Sequence, residues 1–142
     1  MLPPANPQPA SVLTITIPGI ARGKARIRTG AGRFFMAAKT RNAEAWIKHC
    51  AMGAVAEPLD GALAVRLDVA CQVPASWSRT KRAAALGGAI RPVGRPDVDN
   101  VAKNFLDPLN GLVWRDDAQV VELTVVKRYA DAPGCVMTVR AL

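Results

Sequence analysis

Five of the eleven acidic residues of this 142-residue chain, Asp97, Asp99, Asp107, Asp116 and Asp117, fall within residues 95–117, although the formal net charge is +8. Two carboxylates about 4 Å apart repel by on the order of 1 to 4 kcal/mol between water-like and surface-like dielectrics, unless a cation or a shared proton intervenes. A hard divalent ion such as Mg²⁺ removes that conflict. It takes a few carboxylates together with waters and phosphate oxygens, can activate water, and stabilises the leaving oxygen of a phosphodiester. An acidic stretch inside a basic chain therefore reads as a cation site set in a surface made for a polyanion.

Each acid also has a plainer account. Asp97, after Arg95-Pro96, is a natural helix N-cap contributing about 1 kcal/mol, and Asp99 would sit in a first turn, where the helix dipole favours anions. Asp99, Lys103 and Asp107 at i,i+4 spacing make an ion-pair ladder of roughly 0.2–0.5 kcal/mol per pair. Asp116-Asp117 can be turn residues before a strand. The combination is what points to a metal, because Asp97, Asp99 and a second acidic pair beyond one helix and turn would converge on one end of that helix. Lys103, one turn inside, would neutralise developing phosphate charge or orient the water.

The elements that must position these residues are legible from periodicity. Leu13, Ile15 and Ile17 alternate with threonines as a half-buried strand ended by Pro18-Gly19, and Phe34-Phe35-Met36 reads as a short second strand. From about Lys39 to Glu57 the pattern is helical, with Ala43, Trp46, Ile47, Cys50 and Ala54 along one side and Pro58 as the stop. Leu63 to Cys71 is a long alternating strand, followed by a short basic helix at Ser78–Leu86 and a Gly87-Gly88 break. Val98, Val101, Phe105 and Leu109 recur at helical spacing, Pro108 kinks or ends that helix, and strands at about 119–128 and 135–140 finish the chain. The expected fold is a small mixed α+β domain over residues 12–142, with a mostly antiparallel mixed sheet against helices. Residues 1–11, with Pro3, Pro4, Pro7 and Pro9, read as a disordered arm. Apolar content of 50% suffices for one modest core, with Trp46, Trp77 and Trp114 as its large pieces.

Composition excludes several function classes. Cys50, Cys71 and Cys135 are odd in number and widely spaced, which supports neither a disulfide framework nor a zinc knuckle. There is no signal-peptide pattern and no run approaching a membrane span, so a cytoplasmic protein with no membrane partner is expected. The segment Gly19 to Ala25 is one residue short of a Walker loop and lacks its Ser/Thr. A calcium-binding EF loop starting at Asp97 fails at Ala102 and Pro108. His49 is the sole histidine, which argues against a Ser-His-Asp triad or a zinc site.

Thirteen of the 19 Lys plus Arg residues gather in two arms around the acidic stretch. Residues 22–48 carry Lys24, Arg26, Arg28, Arg33 and Lys39 among eight cations against Glu44 alone, and residues 79–95 carry Arg79, Lys81, Arg82, Arg91 and Arg95 with no acid. A solvated surface is the generic account of such runs. Beside an acidic site, phosphate contacts are the stronger one.

Taken together, Arg95-Pro96-Asp97-Val98-Asp99-Asn100, Lys103, Leu106-Asp107, Leu109-Asn110-Gly111, Trp114, Asp116-Asp117-Ala118-Gln119-Val120 and Lys127 resemble the RusA-type crossover junction endodeoxyribonucleases, the Holliday junction resolvases of bacteria and their prophages. A weaker echo runs through Pro18-Gly19, Gly23-Lys24, Arg26, Arg28, Gly32-Arg33-Phe34 and Lys39-Thr40. The resemblance implies a small homodimer that binds four-way DNA junctions and makes paired symmetric nicks with Mg²⁺, for which Mn²⁺ is a possible substitute. By motif position Asp97, Asp99 and Asp117 would be the metal carboxylates and Lys103 the essential lysine, with Asp116 as a further acid. The alternative is a prophage-derived protein that binds branched DNA without cutting it, its carboxylates serving as caps and ladder.

Overall fold

A computed structural model describes residues 12–19, 28–30, 33–35 and 38–142, with backbone alone for 28–30, 33–35 and 38–41. Alternating apolar residues form the strands β1 (Val12–Pro18), β4 (Leu63–Gln72), β5 (Val120–Ala130) and β6 (Gly134–Ala141) of one sheet in the order β1-β6-β4-β5. The β1–β6 and β6–β4 pairs are antiparallel, and β4–β5 is parallel. The mixed, mostly antiparallel α+β sheet expected from periodicity is thus present. A separate ribbon pairs β2 (Arg28–Gly30) with β3 (Arg33–Phe35). Periodicity had marked only the second of these.

One face of the sheet buries Ile15, Ile17, Val65, Leu67, Val69, Met137 and Val139. Against it lie α1 (Ala38–Ala51), through Ile47 and Ala51, and α3 (Val98–Leu106), through Val101 and Phe105. The short α2 (Arg79–Leu86) packs beside β5, with Ser78 as its N-cap. Burying roughly 25 cal/mol per Å² of apolar surface, this one-sided core is the main term holding the fold.

Two expectations need correction. Helix α1 stops at Ala51 and does not run to Glu57, because Gly53 takes φ +78°, a left-handed conformation that ends the helix well before Pro58. Of the three tryptophans only Trp114 is a core residue, at 0% exposure. Trp46 is 45% exposed and donates its indole N–H to Pro18 O at 2.7 Å, tying α1 to the end of β1. Trp77 is half-buried against the edge of Tyr129, under the Lys81 ammonium.

A parallel pair needs a crossover, and here residues 73–119 supply it between β4 and β5. All five aspartates of the acidic stretch lie on that crossover. Cys50, Cys71 and Cys135 are free thiols, and burial pushes Cys135 up to about 12. No helix among the described residues is long and apolar enough to cross a membrane. The proposed arm at 1–11 lies outside the described residues.

Candidate metal and nucleic-acid site

Helix α3 begins at Asp97, whose backbone is extended (φ −70°, ψ 150°) and whose carbonyl accepts from Val101 N–H at 2.9 Å. Its side chain makes no capping hydrogen bond. The Asp97 carboxylate is exposed and is not used as a cap, so the plain structural account fails at this residue. Asp99 follows, exposed, in the first turn, with Lys103 exposed one turn further. The loop entering the helix is held from β5, where Lys127 Nζ donates to Gly94 O at 2.8 Å and to Pro96 O at 2.9 Å.

At the other end, α3 passes into a 3₁₀ turn at Asp107–Leu109 that starts with Pro108 in its first turn. Proline cannot donate to a continuing α-helix, which explains the stop. Gly111, at φ +79°, turns the chain back so that its N–H meets Trp114 O at 2.7 Å. The Trp114 indole then donates to Asn110 Oδ1 at 2.8 Å.

The pair Asp116-Asp117 divides into two different jobs. Asp116 caps a second 3₁₀ turn, its carboxylate accepting from Ala118 N–H at 3.1 Å, and that bond holds its pKa below the ordinary value. Asp117 lies against Asp116 and Asp107. Partial burial first, then hydrogen bonding and repulsion from those two carboxyls, raise it above 3.8.

Gln119 sets this turn. Its Oε1 accepts from Arg115 N–H and Asp116 N–H at 2.9 and 3.1 Å, and its Nε2 donates to Leu59 O and Gly61 O at 2.9 and 3.0 Å. One amide therefore ties the acidic turn to the chain entering β4. The spacing Asp116 to Gln119 is that of a capping box, so this role was readable in the sequence as a local signal. Asp107 was assigned to the ladder beside Asp99 and Lys103. The structure also places it against Asp117.

The structure thus brings Asp107, Asp116 and Asp117 together at one end of α3 and sets Asp97 and Asp99 at the other, so the convergence of both acidic groups on one helix end expected from the sequence is not seen. Asp99 and Asp107 are about 12 Å apart along the axis at 1.5 Å per residue. Among the described residues no three His, Cys, Asp or Glu side chains surround one point at ligand distance. The donors are all carboxylate oxygens, the chemistry that suits a hard ion. Mg²⁺ needs only one or two carboxylates beside waters and phosphate oxygens, so the set fits it without a closed cage. Mutual repulsion around Asp117 is the kind of conflict a cation relieves.

That repulsion gives a sign to pH dependence. An acid raised in the folded state favours folding below its ordinary value of 3.8 and loses that contribution as pH rises through its raised value. Asp117→Asn is expected to stabilise the metal-free chain at neutral pH by up to about 1 kcal/mol after solvent screening. Thermal melts at pH 3 to 7, in chelator, would show the gap between variant and wild type opening as pH rises. A variant that melts lower at neutral pH would sink the idea. Asp116, shifted down, acts oppositely and contributes stability that is lost as pH falls.

The cations surround this site unevenly. Arg79, Lys81 and Arg82 lie on α2, Arg82 reaching Asp131 at 3.1 Å and Lys81 sitting 4.0 Å over the Trp77 ring. Arg95 is exposed just before the cis Arg95-Pro96 peptide. A groove of about 320 Å³ between α2 and β5 is lined by Arg91, Lys127, Arg128 and Tyr129, among others. Lys24 and Arg26 lie outside the described residues. Arg28, Arg33 and Lys39 fall on β2, β3 and α1, with their side chains outside the description.

Over 65 residues the chain is 43% identical to the "Uncharacterized protein YqaN" of Bacillus subtilis (strain 168), a match spanning 46% of this chain and 46% of that protein. The family described as "Endodeoxyribonuclease RusA" matches residues 17–140, from the end of β1 to the penultimate residue of β6, and includes every acid discussed above. By that match over most of its length, the chain belongs to the RusA endodeoxyribonuclease family.

Proposed function

We propose that this protein is a Mg²⁺-dependent, structure-specific endodeoxyribonuclease that resolves four-way DNA junctions by paired symmetric nicks in recombination and repair, acting as a homodimer. The observation that carries the reading is the state of the carboxylates in a chain of net charge +8. Asp97 is exposed and caps nothing, and Asp117 is held against two other acids. A group of anions kept in mutual repulsion on a basic protein is a poor structural device and a good cation site.

In this reading Asp97 and Asp99 at the start of α3 and Asp117 beyond its other end are metal carboxylates of two separate groups, while Asp116 holds the turn and reaches an ion through its neighbour at most. Mg²⁺, when bound, would supply the positive charge that polarises a phosphodiester and promotes ionisation of water. Lys103, one turn along α3 from Asp99, would neutralise charge developing on the phosphate oxygens. Arg79, Lys81, Arg82 and Arg95 on one side, with Lys24, Arg26, Arg28, Arg33 and Lys39 on the other, would hold the DNA backbone. A two-fold dimer suits a substrate nicked at two symmetry-related places.

The test is cleavage of a mobile four-way junction beside linear duplex, flap and single-stranded RNA substrates, in Mg²⁺, Mn²⁺ or chelator. Paired nicks in the junction that vanish in chelator support the reading. Tight junction binding without nicks under either metal would replace it with a branched-DNA-binding protein. Preference for a flap or RNA would redirect the substrate class. If 6–10 phosphates are contacted, junction affinity should fall by about 10³ to 10⁵ between about 50 and 200 mM salt. A flat salt response in gel-shift titrations would remove the basic arms from the interface.

A further inference from the structure

We propose that Lys127 is a positioning residue for the acidic site, its ammonium clamping the loop that delivers Asp97 and Asp99. The inference rests on the nuclease reading above and adds to it a side chain from the sheet. Lys127 Nζ donates to the carbonyls of Gly94 and Pro96 at 2.8 and 2.9 Å. The Pro96 carbonyl belongs to the planar peptide unit that joins Pro96 to Asp97. Holding that oxygen fixes the plane from which the first acid departs and the direction in which α3 starts.

The loop has little else to define it. Residues 91–97 contain no regular structure and include Gly94, and the Asp97 side chain does not brace the helix start by capping. Lys127, by contrast, stands within β5 at the register position of Val69, one of the fully buried residues of β4. A compact ammonium on a strand anchored to the core is thus the fixed point, and the acid-bearing loop is what it holds. Two of its three N–H donors are engaged by carbonyls, which distinguishes it from a lysine presented to DNA as a point charge.

The two roles separate by experiment. Lys127→Met in the full chain is to be titrated with Mn²⁺ alone by calorimetry, assayed for single-turnover junction cleavage, and assayed for junction binding in chelator. Residues that orient metal ligands from behind typically change metal affinity or rate by about 10 to 100-fold on mutation. The expected result is a fall of that size in Mn²⁺ affinity and cleavage rate, with metal-free junction affinity within about twofold of wild type. Lys127→Arg, which keeps cation and donors, should recover most of both.

A Lys127→Met chain that matches wild type in Mn²⁺ uptake and rate overturns the proposal. So does a loss confined to junction affinity with a shallower salt dependence, which marks a phosphate contact. Should Lys127→Met fail to fold, Lys127→Gln, too short to hold both carbonyls, is read by the same criteria. A wild-type chain that neither takes up Mn²⁺ nor cuts junctions overturns the nuclease reading and this proposal together. A competent wild type beside an unaffected variant overturns this proposal alone.

Discussion

Asp99→Asn is expected to lower junction cleavage by on the order of 10³-fold while leaving junction binding in chelator unchanged or slightly tighter. The amide matches the carboxylate in size, and Asp99 is exposed in the first turn of α3, so the fold has little reason to respond. What disappears is one anionic oxygen donor for the ion. On the proposed reading, DNA affinity would rest on the basic arms and gain from one fewer negative charge beside the backbone. Asp97→Asn should behave alike, because its carboxylate makes no cap whose loss would confuse the result.

Asp116→Asn is the informative contrast. Its carboxylate accepts from Ala118 N–H, and an Asn oxygen can keep that bond, so the loss of rate should be small beside that of Asp99→Asn. Single-turnover rates for the three variants with gel-shift affinities would decide the matter. Cleavage by Asp99→Asn within tenfold of wild type, or an Asp116→Asn chain as inactive as Asp97→Asn, would reject the assignment of roles.

Trp114→Ala is expected to destabilise the chain by about 3 to 5 kcal/mol, a large fraction of the roughly 5–15 kcal/mol that ordinary domains possess. The ring is fully buried, its N–H bonds Asn110 Oδ1 at 2.8 Å, and its backbone closes the turn at Gly111. Removing it empties the space beneath the 3₁₀ turn that carries Asp107. Trp46→Ala, at a site 45% exposed, should fall well short of that loss. Urea unfolding monitored by circular dichroism gives both values. Equal midpoints for the two variants would contradict the packing described.

The difference between those tryptophans shows where sequence was informative and where it was not. Alternation at Leu63 to Cys71 located a strand that the sheet places centrally, since a strand buried on one face leaves no other pattern. The helical repeat Val98, Val101, Phe105 likewise located α3. The same periodicity misled for α1. Ala54 fits a helical face, yet Gly53 at φ +78° has already ended the helix, and whether a glycine takes that conformation is settled by what it joins. Trp46 also fits the apolar side of α1, but its indole N–H finds Pro18 O, a partner 28 residues away.

The acidic stretch was legible as a group and much less so residue by residue. Asp116 and Asp117 are neighbours, yet one caps a turn and the other presses on Asp107. That division depends on Gln119 reaching Leu59 O and Gly61 O, close to 60 residues back along the chain. Lys127 lies in the stretch that resembles the family, but only the structure shows its hydrogen bonds to the Gly94 and Pro96 carbonyls.

The position of β5 at the rim of the sheet has a further consequence. Among the described residues it is joined to β4 alone, and Val121, Glu122, Leu123 and Thr124 are exposed along its first half. The exposed first half of an edge strand is where local opening is cheapest, while its half-buried second half stays paired with β4. Because Gln119 leads into this first half, one such excursion would slacken the turn bearing Asp116 and Asp117, while Lys127 on the second half keeps its hold on the loop before Asp97. On the proposed reading, competence for cleavage would then depend on the integrity of a single border of the protein, and the centre of the fold can outlast it.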